Sequence, residues 1–582
     1  MKATKTSRIE ARIDTILGRM DLVDKIGQCL VCNHTGTVIE PYHVRFIREF
    51  RCGGLRVTPH ITCINDEPRI RKIAPYMLPG QYAGLIREIQ ELAMSRKSGV
   101  PLQIVTDQEG DLSVDFLRGG FSLFPSPCGL AATGDPALVR RSCEVVGRQL
   151  RAVGVNWIHS PVLDVNLNPR NPEIGMRSFS DDPKQVAEYG IAQMKGLLAA
   201  GVVATGKHFP GRGDSESDAH TSLDVLRVDR KRLDEVELLP YRALIAGGLT
   251  AVMTAHNAYT ALDDERIPAS VSRRIVTGLL REELGFDGVV TTDAIGMAGV
   301  MKYAGNQWNA TVLAIEAGND VVLVKEDEPT TEKCFRALAD AVKAGRISES
   351  RLDESVRRIL RLKAQIGILD HPMPDAKRAD AVVQDPKNGT LCREVFRRAT
   401  IKVRDRDRLL PLDPKEKIFV VEQYLPLYHL KSNDAWYHPG MFGEAMAAYA
   451  EDMVYQEMNT PPTADDLKRF EQRVDRADTV VFFNIFWRGS GSNRRLIAEC
   501  VRKGKKVVVA TNDLYDGYCL PSLGTLVCTF GAMPHGTRMA AEVIYGHARP
   551  AGQWPLKGIK QKDTVSAAEE AKLFVIGHSE EK

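Results

Sequence analysis

Nowhere in this 582-residue chain does an apolar run approach the roughly 20 residues needed to cross a bilayer. The opening stretch, MKATKTSRIEARIDTILGRM, is charged throughout and lacks the apolar middle of a secretion signal, so a cytoplasmic protein is expected. No charge dominates. The 78 Lys and Arg face 75 Asp and Glu, a balance too even for a nucleic-acid or anionic-membrane partner. Cysteines number 11, odd and scattered, which suits reduced thiols better than a disulfide framework. The one CxxC, Cys29 and Cys32, has no second ligand pair nearby, and DLVDKIGQCLVCNH reads as an amphipathic helix. There is no GxGxxG turn for a dinucleotide and no HExxH for zinc, so neither cofactor nor metal is expected. Internal repeats and low-complexity segments are also lacking.

What the chain does have is the makeup of a soluble globular protein, 43% hydrophobic and 26% charged, long enough for two or three domains. Seven short β-branched runs fall within residues 1–330: GGLRVTP, LQIVTD, VNWIHSPVLD, GVVATGKH, TAVMTAH, GVVTTD and DVVLVK. They are nearly continuously apolar, as strands buried on both faces of a parallel sheet are. Helical stretches separate them. The expected fold is α/β, an N-terminal (β/α)8 TIM-type barrel over 1–370 with one strand unrecognised, followed by a smaller α/β sandwich domain.

Polar groups appear where these runs stop: Asp107, Asp164, Lys207 with His208, His256, Asp293 and Lys325. The C-terminal rim of parallel strands is where such a barrel builds its active site. HPMPDAKRADAVVQDPKNG is polar and holds three prolines, so 371–395 reads as a linker. A second parallel-sheet unit, 396–582, would use KIFVVEQY, DTVVFFNIF, KKVVVATND and GTLVCTF.

The densest chemistry lies in KHFPGRGDSESDAH, residues 207–220. Lys207 and His208 leave a strand end, PGRG turns the chain, and a loop runs to Asp218 and His220. A carboxylate beside an imidazole fixes its tautomer and raises its pKa, giving a usable general acid/base. Asp293, ending another strand in VVTTDAIGM, is placed as a nucleophile or electrostatic stabiliser. A helix N-cap at Asp293 and a solvated loop around Asp218 are the plainer readings. PGRGD lacks the GK[ST] ending of a phosphate loop, and no zinc-ligand spacing is present.

Several ordered motifs here resemble glycoside hydrolase family 3, in particular its bacterial β-N-acetylglucosaminidase branch. KHFPGRGDSESDAH resembles the branch pattern KHFPGHGxxxxDSH, and VMTAHNAY and PASVSRRIVTGLLREELGFDGVV are further signatures. The likeness runs from DKIGQ to the end of the barrel and, more loosely, through REVFRRATIKVRDRDRLLPL into the second domain. It implies a retaining, exo-acting enzyme acting on a small oligosaccharide or glycoside. Asp293 would be the nucleophile, Asp218 and His220 the acid/base dyad, and Asp107, Arg177, Lys207 and His208 the sugar-binding residues.

The chain departs from the branch at DQEGDLSVD, where the pattern is DQEGGRVxR. Asp111 and Asp115 stand at the Gly and Arg positions, and two added acids are expected beside the sugar pocket, with Arg118 as the substitute cation. Arg212 replaces the usual His and Ala219 the usual Ser. Three rivals stay open: a phosphorylase, since a histidine acid/base does not repel phosphate; a β-glucosidase or β-xylosidase; and a non-catalytic sugar binder. The second domain is left with three roles: lining the pocket, homodimerisation, or support of the barrel. Its GSGSNRRL stretch reads as a solvated loop, with closure over the site as the alternative.

Overall fold

The computed structural model describes residues 2–64, 67–217, 222–263, 267–424, 440–485, 493–516, 520 and 522–558. Eight parallel strands close a barrel: β1 Leu30–Thr35, β2 Gly54–Thr58, β3 Gln103–Thr106, β4 Trp157–Ile158, β5 Val203–Phe209, β6 Ala251–Thr254, β7 Val289–Ala294 and β8 Val321–Val324. Neighbours in sequence are neighbours in the barrel, and β8 closes on β1 through Leu30↔Val322 and Val31↔Leu323. Each strand sends side chains alternately inward and outward. Val31, Val105, Trp157, Val203, Ala251, Val289 and Leu323 form one buried cluster with Ile359 and Leu362 of helix Glu349–Gln365. That cluster is the filled lumen of a packed barrel. The outward set packs on the surrounding helices in the largest cluster of the molecule.

All seven strands read from apolar runs are present, and the eighth is β1, where a helix was expected. Helix Leu22–Gln28 is capped by Asp21 and stops at Cys29; Cys32 is in β1. The expected single helix through the CxxC is therefore corrected. From Leu30 onward the backbone pairs with β8 and β2, bonds that a helix would have to give up.

Residues 371–395, read as a linker from their prolines, carry helix Ala376–Val383 and the start of helix Pro386–Ala399. Asp375 and Asp385 cap them, and Pro386 sits in a first turn, where its missing N–H costs nothing. Asp380 Oδ1 accepts from Gly80 N at 2.9 Å, docking the first helix on the barrel's Pro79–Met94 helix.

A six-stranded sheet follows: β9 Ile401–Asp405, β10 Ile418–Tyr424, β11 Met453–Asn459, β12 Thr479–Asn484, β13 Lys506–Thr511 and β14 Thr525–Cys528. Its order is β9-β14-β13-β12-β10-β11. Only β9 is antiparallel to its neighbour. The two edge strands, β9 and β11, were not among the four expected. Val420, Val481 and Val508 pack on one face with helices Met441–Ala447 and Pro534–Ile544. Phe419, Val480 and Val507 pack on the other with helices Ala464–Val474 and Arg494–Arg502. The result is an α/β/α sandwich.

No helix among the described residues is long and apolar enough to span a membrane.

Candidate active site

The C-terminal rim of the barrel gathers a continuous network of charges. Asp107 follows β3. Its Oδ2 accepts from Arg56 Nη2 at 2.5 Å and its Oδ1 from Lys207 Nζ at 3.1 Å. Lys207 also meets Glu109 Oε1 at 2.5 Å. Glu109 in turn takes two parallel bonds of 2.8 Å from Arg177 Nε and Nη2. Arg177 Nη1 donates to the Glu173 carbonyl, and the Glu173 carboxylate accepts from Arg212 Nη2 at 2.9 Å. Arg212 Nη2 then reaches His208 Nε2 at 2.9 Å and lies 3.8 Å from Asp293 Oδ2. His208 Nε2 is also 3.8 Å from that oxygen.

Burial and pairing set the protonation states. Burial works against the charge of Asp107, but Lys207 and Arg56 outweigh it and hold the carboxyl well below its usual range. Glu109 is likewise opposed by burial and brought to about 2 by Arg177 and Lys207. Both are ionised acceptors. His208 goes the other way: burial and then Arg212 and Lys207 push its imidazole well below the usual value, so it is neutral. Its Nδ1–H donates to Asp164 Oδ2 at 2.7 Å, which leaves Nε2 as the acceptor for Arg212. Asp164, raised to about 6 by burial against the pull of Arg212, also receives the Arg212 backbone N–H at 2.8 Å.

Asp293 ends β7, and its Oδ1 accepts from Ala294 N at 2.8 Å. The side chain is 16% exposed, enough to reach a ligand. His256, beyond β6, is spent on Ser270 Oγ at 2.7 Å and the Ala294 carbonyl at 3.0 Å, so it braces the β7 end.

Of the expected site residues, Asp107, Arg177, Lys207, His208 and Asp293 converge in this one network. Asp218 and His220 lie outside the described residues. The loop that carries them starts from the turn holding Arg212, where Asn171 Nδ2 donates to the Arg212 carbonyl at 2.9 Å.

The expectation of two acids beside the sugar pocket is corrected. Asp111 points away, into the second domain, accepting from Asn512 Nδ2 at 2.9 Å and Ala532 N at 2.8 Å. Asp115 folds beneath Asp107, accepting its backbone N–H at 2.7 Å. Arg118 donates to the Ala74 carbonyl at 2.7 Å, and the cation at Asp107 comes from Arg56 instead. Arg494, in the stretch read as a solvated loop, is buried against Asp516 at 2.6 Å; residues 489–492 of that stretch lie outside the described set.

Arg56, Glu109 and Glu173 were not singled out from sequence. Arg56 had a signal, since one cation inside the otherwise apolar GGLRVTP must find a partner. Glu173 had a weaker one, four residues before Arg177. Among the described residues no cluster of His, Cys, Asp and Glu is placed to hold a metal.

A closed parallel barrel whose C-terminal rim gathers carboxylates, cations and hydrogen-bonding side chains has the makeup of a barrel enzyme with a site for a polar ligand. The family model for the glycosyl hydrolase family 3 N terminal domain matches residues 76–362. Beta-hexosaminidase A of Pseudoalteromonas piscicida is 32% identical over 67% of this chain and 72% of its own length. A beta-N-acetylglucosaminidase/beta-glucosidase of Cellulomonas fimi is 28% identical over 94% and 95%. The solved family 3 beta-N-acetylglucosaminidase of Paenibacillus sp. superposes with a TM-score of 0.81 at 29% identity, covering 94% of this chain and 100% of that one. The chain belongs to glycoside hydrolase family 3.

Proposed function

We propose that this family 3 enzyme is a retaining, exo-acting β-N-acetylglucosaminidase that removes terminal β-linked N-acetylhexosamine. The observation that carries the reading is Asp293 at the end of β7, with Arg212 and His208 both 3.8 Å from its Oδ2 and a chain of ion pairs leading on to Asp107. The names of the Pseudoalteromonas, Cellulomonas and Paenibacillus relatives support the choice of sugar.

Asp293 attacks the anomeric carbon and forms a covalent glycosyl-enzyme, which water then releases. His220, held and charged by Asp218, protonates the leaving oxygen and later takes a proton from the water. Asp107, Lys207, His208 and Arg177 bind the hydroxyls of the sugar or orient one another to do so. Hydrogen bonds that tighten as charge develops at the ring favour the transition state.

Action on β-glucosides is the second reading, favoured by the double name of the Cellulomonas relative. Both are tested by nitrophenol release from β-N-acetylglucosaminide, glucoside, xyloside and N-acetylgalactosaminide, each with and without phosphate. Preference for the N-acetylglucosaminide is expected. A phosphate-dependent sugar phosphate would reassign the enzyme as a phosphorylase. Asp293→Ala is expected to lower kcat by about 10³-fold or more. His220→Ala should cost far less on a nitrophenyl substrate than on a disaccharide, because nitrophenolate leaves without a proton. Equal losses on both substrates count against His220 as the acid.

A further inference from the structure

β2 is buried along its whole length, GLRVT, and Arg56 is the one charged residue in it. A buried guanidinium is tolerated only where carboxylates and carbonyls replace its water. Arg56 Nη1 donates to the Val57 carbonyl at 2.7 Å and to Thr58 Oγ1 at 2.5 Å. Nη2 is shared between Asp107 Oδ2 at 2.5 Å and Asp115 Oδ2 at 2.8 Å. The buried Nε has no hydrogen-bond partner among the described residues. The guanidinium thus leaves one donor unmade while placing another on both carboxylates.

Asp115 holds the same residue from its other side. Its Oδ2 accepts the Asp107 backbone N–H at 2.7 Å and Thr106 Oγ1 at 2.9 Å. In return, Asp115 N donates to the Asp107 carbonyl at 2.9 Å. So Asp115 grips the backbone of Asp107 while Arg56 grips its side chain. The Arg56 side chain is 4% exposed and that of Asp115 9%, whereas that of Asp107 is 29% exposed. Of the three, Asp107 is the one turned toward a ligand.

We infer that Arg56 and Asp115 act as a pair of positioning residues that fix the Asp107 carboxylate for recognition of the substrate's hydroxyl groups. The inference rests on the glycosidase reading. Both charges of the pair are internal and face one another, so the pocket itself gains neither.

The test compares wild type with R56M, D115N, the double variant R56M/D115N and R56K. Substrates are the nitrophenyl glycoside preferred by the wild type and its monodeoxy analogues. The double variant removes both charges at once and is expected to fold with a Tm close to that of wild type. Its kcat/KM should fall by about 30-fold or more. The penalty that wild type suffers on losing one particular hydroxyl should shrink in the same variant, because a misaligned Asp107 no longer distinguishes that analogue. R56K keeps the charge but not the fork, and should lie between.

A double variant with wild-type kcat/KM and an unchanged deoxy penalty overturns the inference: Arg56 would then serve only to neutralise Asp115. If the double variant does not fold, R56M decides, and wild-type kcat/KM with an unchanged deoxy penalty there is equally fatal. A wild type inactive on every glycoside would sink the glycosidase reading itself, an outcome separate from either.

Discussion

Arg177 holds Glu109 through two parallel bonds of 2.8 Å, an arrangement that a planar guanidinium makes and an ammonium does not. Arg177→Lys keeps the charge but can make only one of the two bonds, so the buried carboxylate loses a donor and its fixed orientation. Glu109 also anchors Lys207, which anchors Asp107, so the disturbance travels along the rim. The expected outcome is a fall in kcat/KM of about 10- to 100-fold with little change in Tm, read by steady-state kinetics and thermal unfolding. At Arg212, where a histidine was expected from the family pattern, the larger cation satisfies Glu173 and lies against Asp293. Its backbone N–H meanwhile binds Asp164. One residue thus ties the β4 end, the β5 end and the β7 carboxylate together.

The turn that carries Arg212 shows how tightly an element can be specified. A Cβ on Gly213 would come within 1.7 Å of the Val165 carbonyl oxygen, and that neighbour is backbone, which cannot swing aside. Gly211 adopts φ 135°, a conformation that side chains disfavour. Gly213→Ala should push the PGRG turn off Val165, displace Arg212 and shift the start of the loop toward Asp218. A stability loss of about 2 kcal/mol or more is expected in denaturant unfolding, together with a fall in kcat. A variant of unchanged stability and rate would show that the turn has more room than the packing implies. The helices of residues 376–399 make a related point: Pro386 and the capping Asp375 and Asp385 are start signals, so a polar, proline-containing segment builds structure instead of breaking it.

At the scale of the whole molecule, the sandwich meets the barrel through buried polar contacts. Asp111 reaches Asn512 and Ala532, and Tyr515 Oη donates to Asn166 Oδ1 at 2.8 Å. Burial raises the Asp111 carboxyl from its ordinary 3.8 to about 7, against the opposing bonds from Asn512 and Ala532. The folded protein therefore binds this proton more tightly than the unfolded chain does. The stability this confers is complete below about pH 4 and is lost as pH rises through about 7. Asp111→Asn removes this pH dependence, worth up to about 1.4 kcal/mol per pH unit within that window, and the Asn512 amide can turn to accept from the new one. The Tm of the variant relative to wild type should climb between pH 4.5 and 7.5 and level off above. A difference that stays flat with pH would mean that Asp111 is ionised throughout. Asp513, raised to about 7 by burial and Asp516, slopes the same way in both proteins and cancels in the comparison.

The sequence by itself determined the class of fold and most of the polar groups at the barrel rim. Strands buried on both faces need unbroken apolar runs, and polar residues at the ends of those runs must stand at the barrel rim, so Asp107, Lys207, His208 and Asp293 were legible one by one. Pairing across long separations was not. β1 looks helical until Val322 and Gly54 claim its backbone from far along the chain. The edge strands β9 and β11 are paired on one side only, so they carry too little apolar sequence to announce themselves. Asp115 looked like an acid facing the sugar, and only the fold, by bringing Arg56 within 2.8 Å of it, turned it inward. Local composition records what a residue can pair with. Which partner it meets is decided by chain closure, and only the tertiary structure contains that.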